Sequence, residues 1–511
     1  MFRKNHLFQI LTIGFLILCA ANFSSAQKIQ PDKTALTKFE KSIEQGKYAE
    51  IERDLLNYVI AHPTDAQGFE MLAKLRFAQS RLNEAKSLYQ KSLSLDPNLT
   101  TAKINLALVN FQTSSTEQAL AVLNEISDHE VSNDALRFKL AQTFAFVGDC
   151  QRALSNVEKL TAKIKNTDAL PLRALCYEQL GDKQKVGALI LPAKNLVKQT
   201  PAIAVNFAEI LINAAMFQES ADVLRSVVKL FPKNADALIL LAKSEIYLND
   251  TATAKIHLVQ AAEINSESPN LPYVKSLLES RRGNPAEALN LLEKSLAENP
   301  NSTETLRQIV IAAMRANQTG KAAKTAEKLL ELRPDEPEFL YLYGVASLQN
   351  NKLAAAESSL TKFLEMRPAD SLGCLALGLT FAAQPDKITE ARQQLTHCVE
   401  INPKSFEANF QLGLSYKAQG ETEKAAEYYE AAIRDAPNYA PALRDLGAVY
   451  LQSGAESKAQ IVLEKSVAID PNDADTHFQL SRLYNLIGQP ELAKKHLEIF
   501  QKLKNPKKDG M

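Results

Sequence analysis

The sequence predicts an all-α solenoid of stacked helix-turn-helix units, and three observations predict it. A period of 34 residues recurs along most of the chain, and prolines punctuate it. Hydrophobic residues make up 46% of the chain with only 7% aromatics and no tryptophan, which favours packed helices over a β-sandwich or a disordered chain. Glycine and proline are sparse, at 17 and 21, and recur with the period.

The first residues differ from everything after them. Arg3 and Lys4 give a basic start to an apolar run from Leu7 to Phe23, interrupted by Gln9, Thr12 and Asn22. Ser24-Ser25-Ala26 supplies the small residues a signal peptidase reads, so cleavage is expected before Gln27. The alternative is an uncleaved anchor helix, since the run is nearly long enough to span a bilayer. A lipoprotein would need a small residue before Cys19, and Leu18 stands there. Residues 1–26 thus read as a signal peptide, 27–31 as a short linker, 32–504 as an array of about fourteen units, and 505–511 as a basic tail with Lys507 and Lys508.

The cleanest copy runs from Phe406 to Pro437 and carries Leu412, Gly413, Tyr416, Ala425, Tyr429, Ala432 and Pro437. The next copy places Leu446, Gly447, Tyr450, Ala459, Leu463, Ser466 and Pro471 at the same spacings. Pro63, Pro97, Pro232, Pro300, Pro334, Pro368 and Pro403 mark other repeat ends. Ala85, Ala119, Ala153, Ser220, Ala254, Ala288, Ala322 and Ala356 hold the small position early in each second helix. A large residue follows four places later, as at Tyr89, Leu123, Leu224 and Leu360, except where Ala326 stands. Copies near 167–200 and 269–300 are the most degenerate, and one extra residue sits around Pro385-Asp386, since Ala391 comes a position late.

This pattern resembles the tetratricopeptide repeat, without the tryptophan common at its fourth position. The resemblance implies a right-handed superhelical solenoid, and the short turns and simple leader suggest an exported bacterial member. Leucine at the seventh position and Gly or Ala at the eighth let the first helix approach the second closely. Turns such as Gly46-Lys47, Gly148-Asp149, Gly181-Asp182 and Gly420-Glu421 end the first helix, and proline stops the second. No unit buries its apolar face alone, so stability comes from stacking. The last helix, around Glu491 to Lys504, is expected to be a polar cap.

Within that register, Cys374 and Cys398 face each other across one hairpin, and Cys150 faces Cys176 of the next unit. In an exported chain these two pairs are disulfide candidates, each closing about 25 residues and contributing roughly 3 kcal/mol on the chain-entropy account. The alternative is four buried thiols acting as small hydrophobes.

Catalytic and cofactor motifs are missing. The sequence holds no GxxxxGK[ST], GxGxxG, HExxH, CxxC or GxSxG. His257, His397, His477 and His496 are scattered without the neighbours a metal needs. No enzyme activity, cofactor or metal is expected. Lys plus Arg equal Asp plus Glu at 59 each, so nothing draws the chain to nucleic acid or anionic lipid, and a membrane contact would come only through an uncleaved leader.

Binding is left. In the resembled family the first helix of each unit lines a concave groove through positions two, five and nine. Transferred here, positions five and nine give Tyr273 and Leu277, Tyr341 and Val345, Leu375 and Leu379, and Phe410 and Leu414, with Arg307 interrupting. The earlier half is mixed, with Glu70 and Lys74, Val205 and Glu209, and Ile239 and Lys243. The apolar stripe suits an extended or helical apolar peptide segment; in a tight superhelix it would pack against its own turns instead. A lysine-asparagine clamp for a chain terminus fails, because Asn105 is present but Glu70 stands where lysine is needed. Sequons at Asn98, Asn249, Asn301 and Asn317 occur at a frequency near chance.

The expectation is a periplasmic or secreted adaptor for proteins or peptide segments of the cell envelope, by analogy with exported relatives in envelope assembly or exopolysaccharide export. The alternative is a periplasmic module that holds a carbohydrate polymer, which would want open aromatic rings along the groove.

Overall fold

The computed structural model describes residues 33–113 and 115–505. The expected leader over 1–26, the linker over 27–31 and residues 506–511 of the expected tail lie outside them. The described residues hold thirty α-helices, two short 3-10 turns and no strand. They divide into two compact units, Met1–Ser268 and Pro269–Met511.

In the first unit, helices α1 (Lys33–Glu44), α2 (Tyr48–Ala61), α3 (Ala66–Ala78), α4 (Leu82–Leu95), α5 (Thr100–Thr113) and α6 (Thr116–Asn124) form three successive hairpins. After a 3-10 turn come α7 (Asp134–Phe146), α8 (Cys150–Glu158), α9 (Ala162–Asn166) and α10 (Leu170–Gln179). Then follow α11 (Lys183–Ala188), α12 (Ile190–Leu196), α13 (Pro201–Asn213), α14 (Phe217–Leu230), α15 (Ala235–Tyr247) and α16 (Thr251–Ile264). The second helix of the degenerate copy near 167–200 is broken into α11 and α12, where Gly187 and Pro192 weaken one continuous helix.

The second unit is more regular. It begins with α17 (Asn270–Arg281), α18 (Pro285–Glu298), α19 (Thr303–Arg315), α20 (Thr319–Leu332), α21 (Pro337–Gln349) and α22 (Leu353–Met366). It continues with α23 (Ser371–Ala382), α24 (Ile388–Ile401), α25 (Phe406–Ala418), α26 (Thr422–Asp435), α27 (Ala440–Gln452), α28 (Glu456–Ile469), α29 (Ala474–Leu486) and α30 (Pro490–Lys504). The copy over 269–300, degenerate in sequence, folds as the ordinary hairpin α17–α18. The extra residue before Ala391 is absorbed by a 3-10 turn at Pro385–Lys387.

Local chemistry sets the helix ends. Ser302, Asp370, Ser405 and Asp473 each accept backbone N–H bonds that open the helix following them, satisfying donors the first turn leaves unpaired. First helices end on a left-handed residue, as at Gly420 with φ 78°. Elsewhere a residue with a side chain takes that place, including Ser80 at φ 61° and Ala215 at φ 57°. The core repeats with the period. Ala85, Ala119, Ala153, Ala254, Ala288, Ala322, Ala356, Ala425 and Ala459 are all fully buried between paired helices. The last helix is less polar than expected: Leu492 and Leu497 are more than a third exposed, and Phe500 of α30 packs beside Phe478.

Candidate binding groove

The expected groove residues lie on α17, α21, α23 and α25, all within the second unit. The structure separates them by exposure. Tyr273, Leu277 and Phe410 are buried, at 8%, 6% and 7% exposed, so they pack the scaffold rather than face a ligand. Phe410 lies between Tyr429 and Tyr439, with ring centroids 5.8 and 5.2 Å away. Tyr341, Val345, Leu375, Leu379 and Leu414 are half-buried and keep an open side.

A lateral polar tie explains part of this division. The Tyr273 hydroxyl donates to Glu304 Oε1 at 2.6 Å, closing α17 against α19. The Arg307 guanidinium donates to Glu338 Oε1 at 3.1 Å, closing α19 against α21. Both ties span 31 residues. The same step from Tyr341 reaches Leu372, which has no polar group to offer. Tyr341 has no hydrogen-bond partner among the described residues, and it packs on Phe363 with centroids 5.4 Å apart. Burial, and then the charge of Asp370, push its phenol above the ordinary value.

Leu372 is therefore left 62% exposed at the start of α23. It shares a helix face with Leu375 and Leu379, at intervals of three and four residues. Asp370 caps this helix by accepting from the N–H groups of Leu372 and Gly373, which fixes where the three leucines point. An exposed leucine alone means little, but here it extends a half-open apolar strip instead of standing singly. Leu372 stands at position two of its copy, as Glu304 and Glu338 do in theirs, so the groove positions of the resembled family already include it.

Behind that face, Cys374 and Cys398 stand across the α23–α24 hairpin with Cα atoms 5.6 Å apart, inside the span a disulfide requires. The other expected bridge is not formed. Cys150 and Cys176 are buried thiols, and Cys150 Sγ is turned to donate to Gln179 Oε1 at 3.1 Å. Burial pushes both thiols above their ordinary range, which opposes the thiolate that disulfide exchange needs.

The remaining marked residues serve structure. His257 Nδ1 meets the buried Glu245 at 2.8 Å, and His397 lies near Glu400 at the surface. His477 and His496, on the two helices of the last hairpin, meet through their Nδ1 atoms at 2.8 Å. Among the described residues no three His, Cys, Asp or Glu side chains gather as metal ligands. No described helix is long and apolar enough to cross a membrane. In the first unit, Val205, Ile239 and Lys243 are buried and Glu209 is exposed, so no continuous apolar strip forms there.

The repeats so defined match known proteins. Tetratricopeptide-repeat families match residues 66–99, 281–346, 416–477 and 462–495. The chain carries tetratricopeptide repeats. Among solved structures, this repeat protein is similar to the APC/C hetero-tetramer Cut9-Hcn1 with a TM-score of 0.51. The match covers 92% of this chain and 93% of that one at 16% identity, so the likeness is one of fold. Human protein O-mannosyl-transferase TMTC3 is 31% identical over 111 residues, which span 20% of this chain and only 12% of that protein. So short a share transfers no reaction. Tetratricopeptide repeats support a role as a protein–protein interaction scaffold, and the fold points away from catalysis.

Proposed function

We propose that this tetratricopeptide-repeat chain is a non-enzymatic adaptor that gathers partner proteins outside the cytoplasm. Its contact face is the strip made by Tyr341 and Val345 of α21, Leu372, Leu375 and Leu379 of α23, and Leu414 of α25. The observation that carries this reading is Leu372, 62% exposed where the two preceding ties place a carboxylate. A helical or extended partner segment with spaced apolar side chains fits such a strip, because its anchors recur at the same helical interval.

Export rests on the basic-apolar-small pattern of residues 1–26. It brings with it an oxidising compartment, in which Cys374 and Cys398 form a disulfide. Envelope assembly or exopolysaccharide export is the setting that resemblance to exported bacterial repeat proteins suggests. The carbohydrate-polymer alternative is the weaker reading, since Tyr273 and Phe410 are buried and only Tyr341 offers a half-open ring.

The test is crosslinking in the native host followed by capture of the tagged chain, comparing wild type with a Leu372→Glu/Leu375→Glu variant that retains its helical spectrum. Cell fractionation of the same strain reports location. The adaptor reading expects envelope proteins that depend on the two leucines. Proteins captured equally by both forms would remove the strip from the account, and bound polysaccharide in place of protein would favour the alternative.

A further inference from the structure

The hairpin of α29 and α30 sets two imidazoles nose to nose. His477 Nδ1 and His496 Nδ1 are 2.8 Å apart, and their ring centroids are 5.1 Å apart. That centroid distance is about the largest an Nδ1 contact of this length allows, so each nitrogen faces the other along the line joining the rings. A proton between them ties the hairpin, and the same two nitrogens can hold a larger cation.

His477 is set as a ligating histidine is. It is 4% exposed, and its Nε2 donates to the Pro471 carbonyl at 3.0 Å. A backbone acceptor on the far nitrogen fixes the ring and leaves Nδ1 bare, the arrangement that orients metal-bound imidazoles. His496 is half-buried on α30, so an arriving ion has a way in. Tyr484 stacks on its ring with centroids 5.5 Å apart, and the Tyr484 hydroxyl donates to Glu464 at 2.9 Å. Glu464 thus brings a negative charge that favours a cation here, against Lys495. Burial holds His496 below its ordinary value, which keeps the ring in the neutral form that can ligate.

The number and direction of the ligands select the ion. Zinc takes four ligands at tetrahedral angles, and among the described residues no three candidate side chains gather. Two in-line imidazoles suit a closed-shell monovalent ion that takes two ligands at opposite poles, and imidazole is a good ligand for copper. We propose that His477 and His496 bind one cuprous ion in line between their Nδ1 atoms. Two metal–nitrogen bonds of roughly 2 Å place those atoms about 4 Å apart, so the pair opens by about 1 Å. His496 makes that movement, because His477 is anchored. Its Nδ1 proton passes to its own Nε2 as the ion enters, so no proton is lost and the copper stays cuprous. The histidines lack the neighbours a three- or four-coordinate metal needs, and a two-coordinate ion does not need them. The site is independent of the Leu372 strip.

The experiment titrates the full chain from Gln27 with Cu(I), under ascorbate and without oxygen, in competition with ferrozine. Cys150→Ala and Cys176→Ala are present throughout, since the two buried thiols would compete for the ion. One equivalent of Cu(I) should leave ferrozine, and X-ray absorption should show two equal nitrogen neighbours and no sulfur. His496→Gln and His477→Gln should each lose that equivalent, while His62→Gln and Leu372→Glu should keep it. The bound ion should also slow hydrogen exchange in α30, and should not do so in His496→Gln. No withdrawal of copper, an equivalent that survives His496→Gln with its helical spectrum intact, or sulfur in the absorption spectrum overturns the proposal. Uptake of Zn(II) in preference to Cu(I) also overturns it, because the rings would then converge on a shared point rather than face each other.

Discussion

The Tyr429 ring lies 2.5 Å from the point that a Cβ on Gly413 would occupy, so α25 and α26 stand at a separation only glycine permits. Gly447 and Leu463 repeat the relation at 2.5 Å, as do Gly344 and Leu360. The close approach in these three hairpins is therefore a pairing between a residue without a side chain and a large one on the facing helix. Gly413→Ala forces the ring aside and should destabilise the second unit by roughly 1–3 kcal/mol, even though alanine is the better helix former. Urea unfolding of wild type and variant measures it; an unchanged midpoint would mean the hairpin can widen freely.

Ala215 should respond in the opposite sense. Its φ of 57° places Cβ against the backbone at a turn where other copies use glycine. Ala215→Gly relieves that strain and should raise stability by about 1 kcal/mol, after the extra chain entropy glycine brings to the unfolded state. A lowered thermal midpoint would show that the methyl group makes contacts worth more than the strain.

The paired histidines make the terminal hairpin sensitive to acid. His477 Nε2 donates to the Pro471 carbonyl at 3.0 Å, so its Nδ1 is left to accept from His496 Nδ1. Burial, then His477 and Lys495, hold His496 below its ordinary 6.5, with Glu464 pulling the other way and Tyr484 stacked on the ring. The unfolded chain binds this proton more readily, so the stability is complete above pH 6.5 and is lost as pH falls through the depressed folded value. Hydrogen exchange in α30 should quicken between pH 7.5 and 5.5, beyond the intrinsic change, in wild type and not in His496→Gln. Equal protection at both pH values in wild type would discount the pair.

Thiol counting separates the two cysteine pairs. In the unreduced, denatured chain from Gln27, Cys150 and Cys176 should alkylate while Cys374 and Cys398 should not. Reduction should add two labels and lower the stability of the second unit by about 3 kcal/mol, for a bridge closing 24 residues. Four labels without reductant would remove the Cys374–Cys398 bond.

The period, the buried alanines and the extra residue near Pro385 were legible in the sequence, because each follows from how one helix meets its own partner. Exposure was less so. Tyr273 and Phe410 occupy the same repeat position as Tyr341, yet they are buried through contacts with Glu304 and Tyr439 of following copies. Repeat position gives the direction of a side chain, and the neighbouring copy decides whether it is covered. Leu372 shows the converse, since it is 62% exposed and Tyr341 of the preceding copy makes no polar tie to it. Cys150 and Cys176 are neighbours as the register implies but stand as two buried thiols, and Cys150 Sγ also donates to Gln179 Oε1. His477 and His496 were legible as members of one unit, but their contact depends on the crossing of α29 and α30.

The most direct test of the adaptor account places a photoreactive benzoylphenylalanine at Leu372, and in a second strain at Ile461. Ile461 is 70% exposed on α28, a second helix of the same unit, so the two sites are alike in apolar exposure and differ in face. After irradiation in the native host, the account predicts a discrete protein adduct from position 372 and none in common from position 461. The same adducts from both positions, or none from position 372, would contradict it.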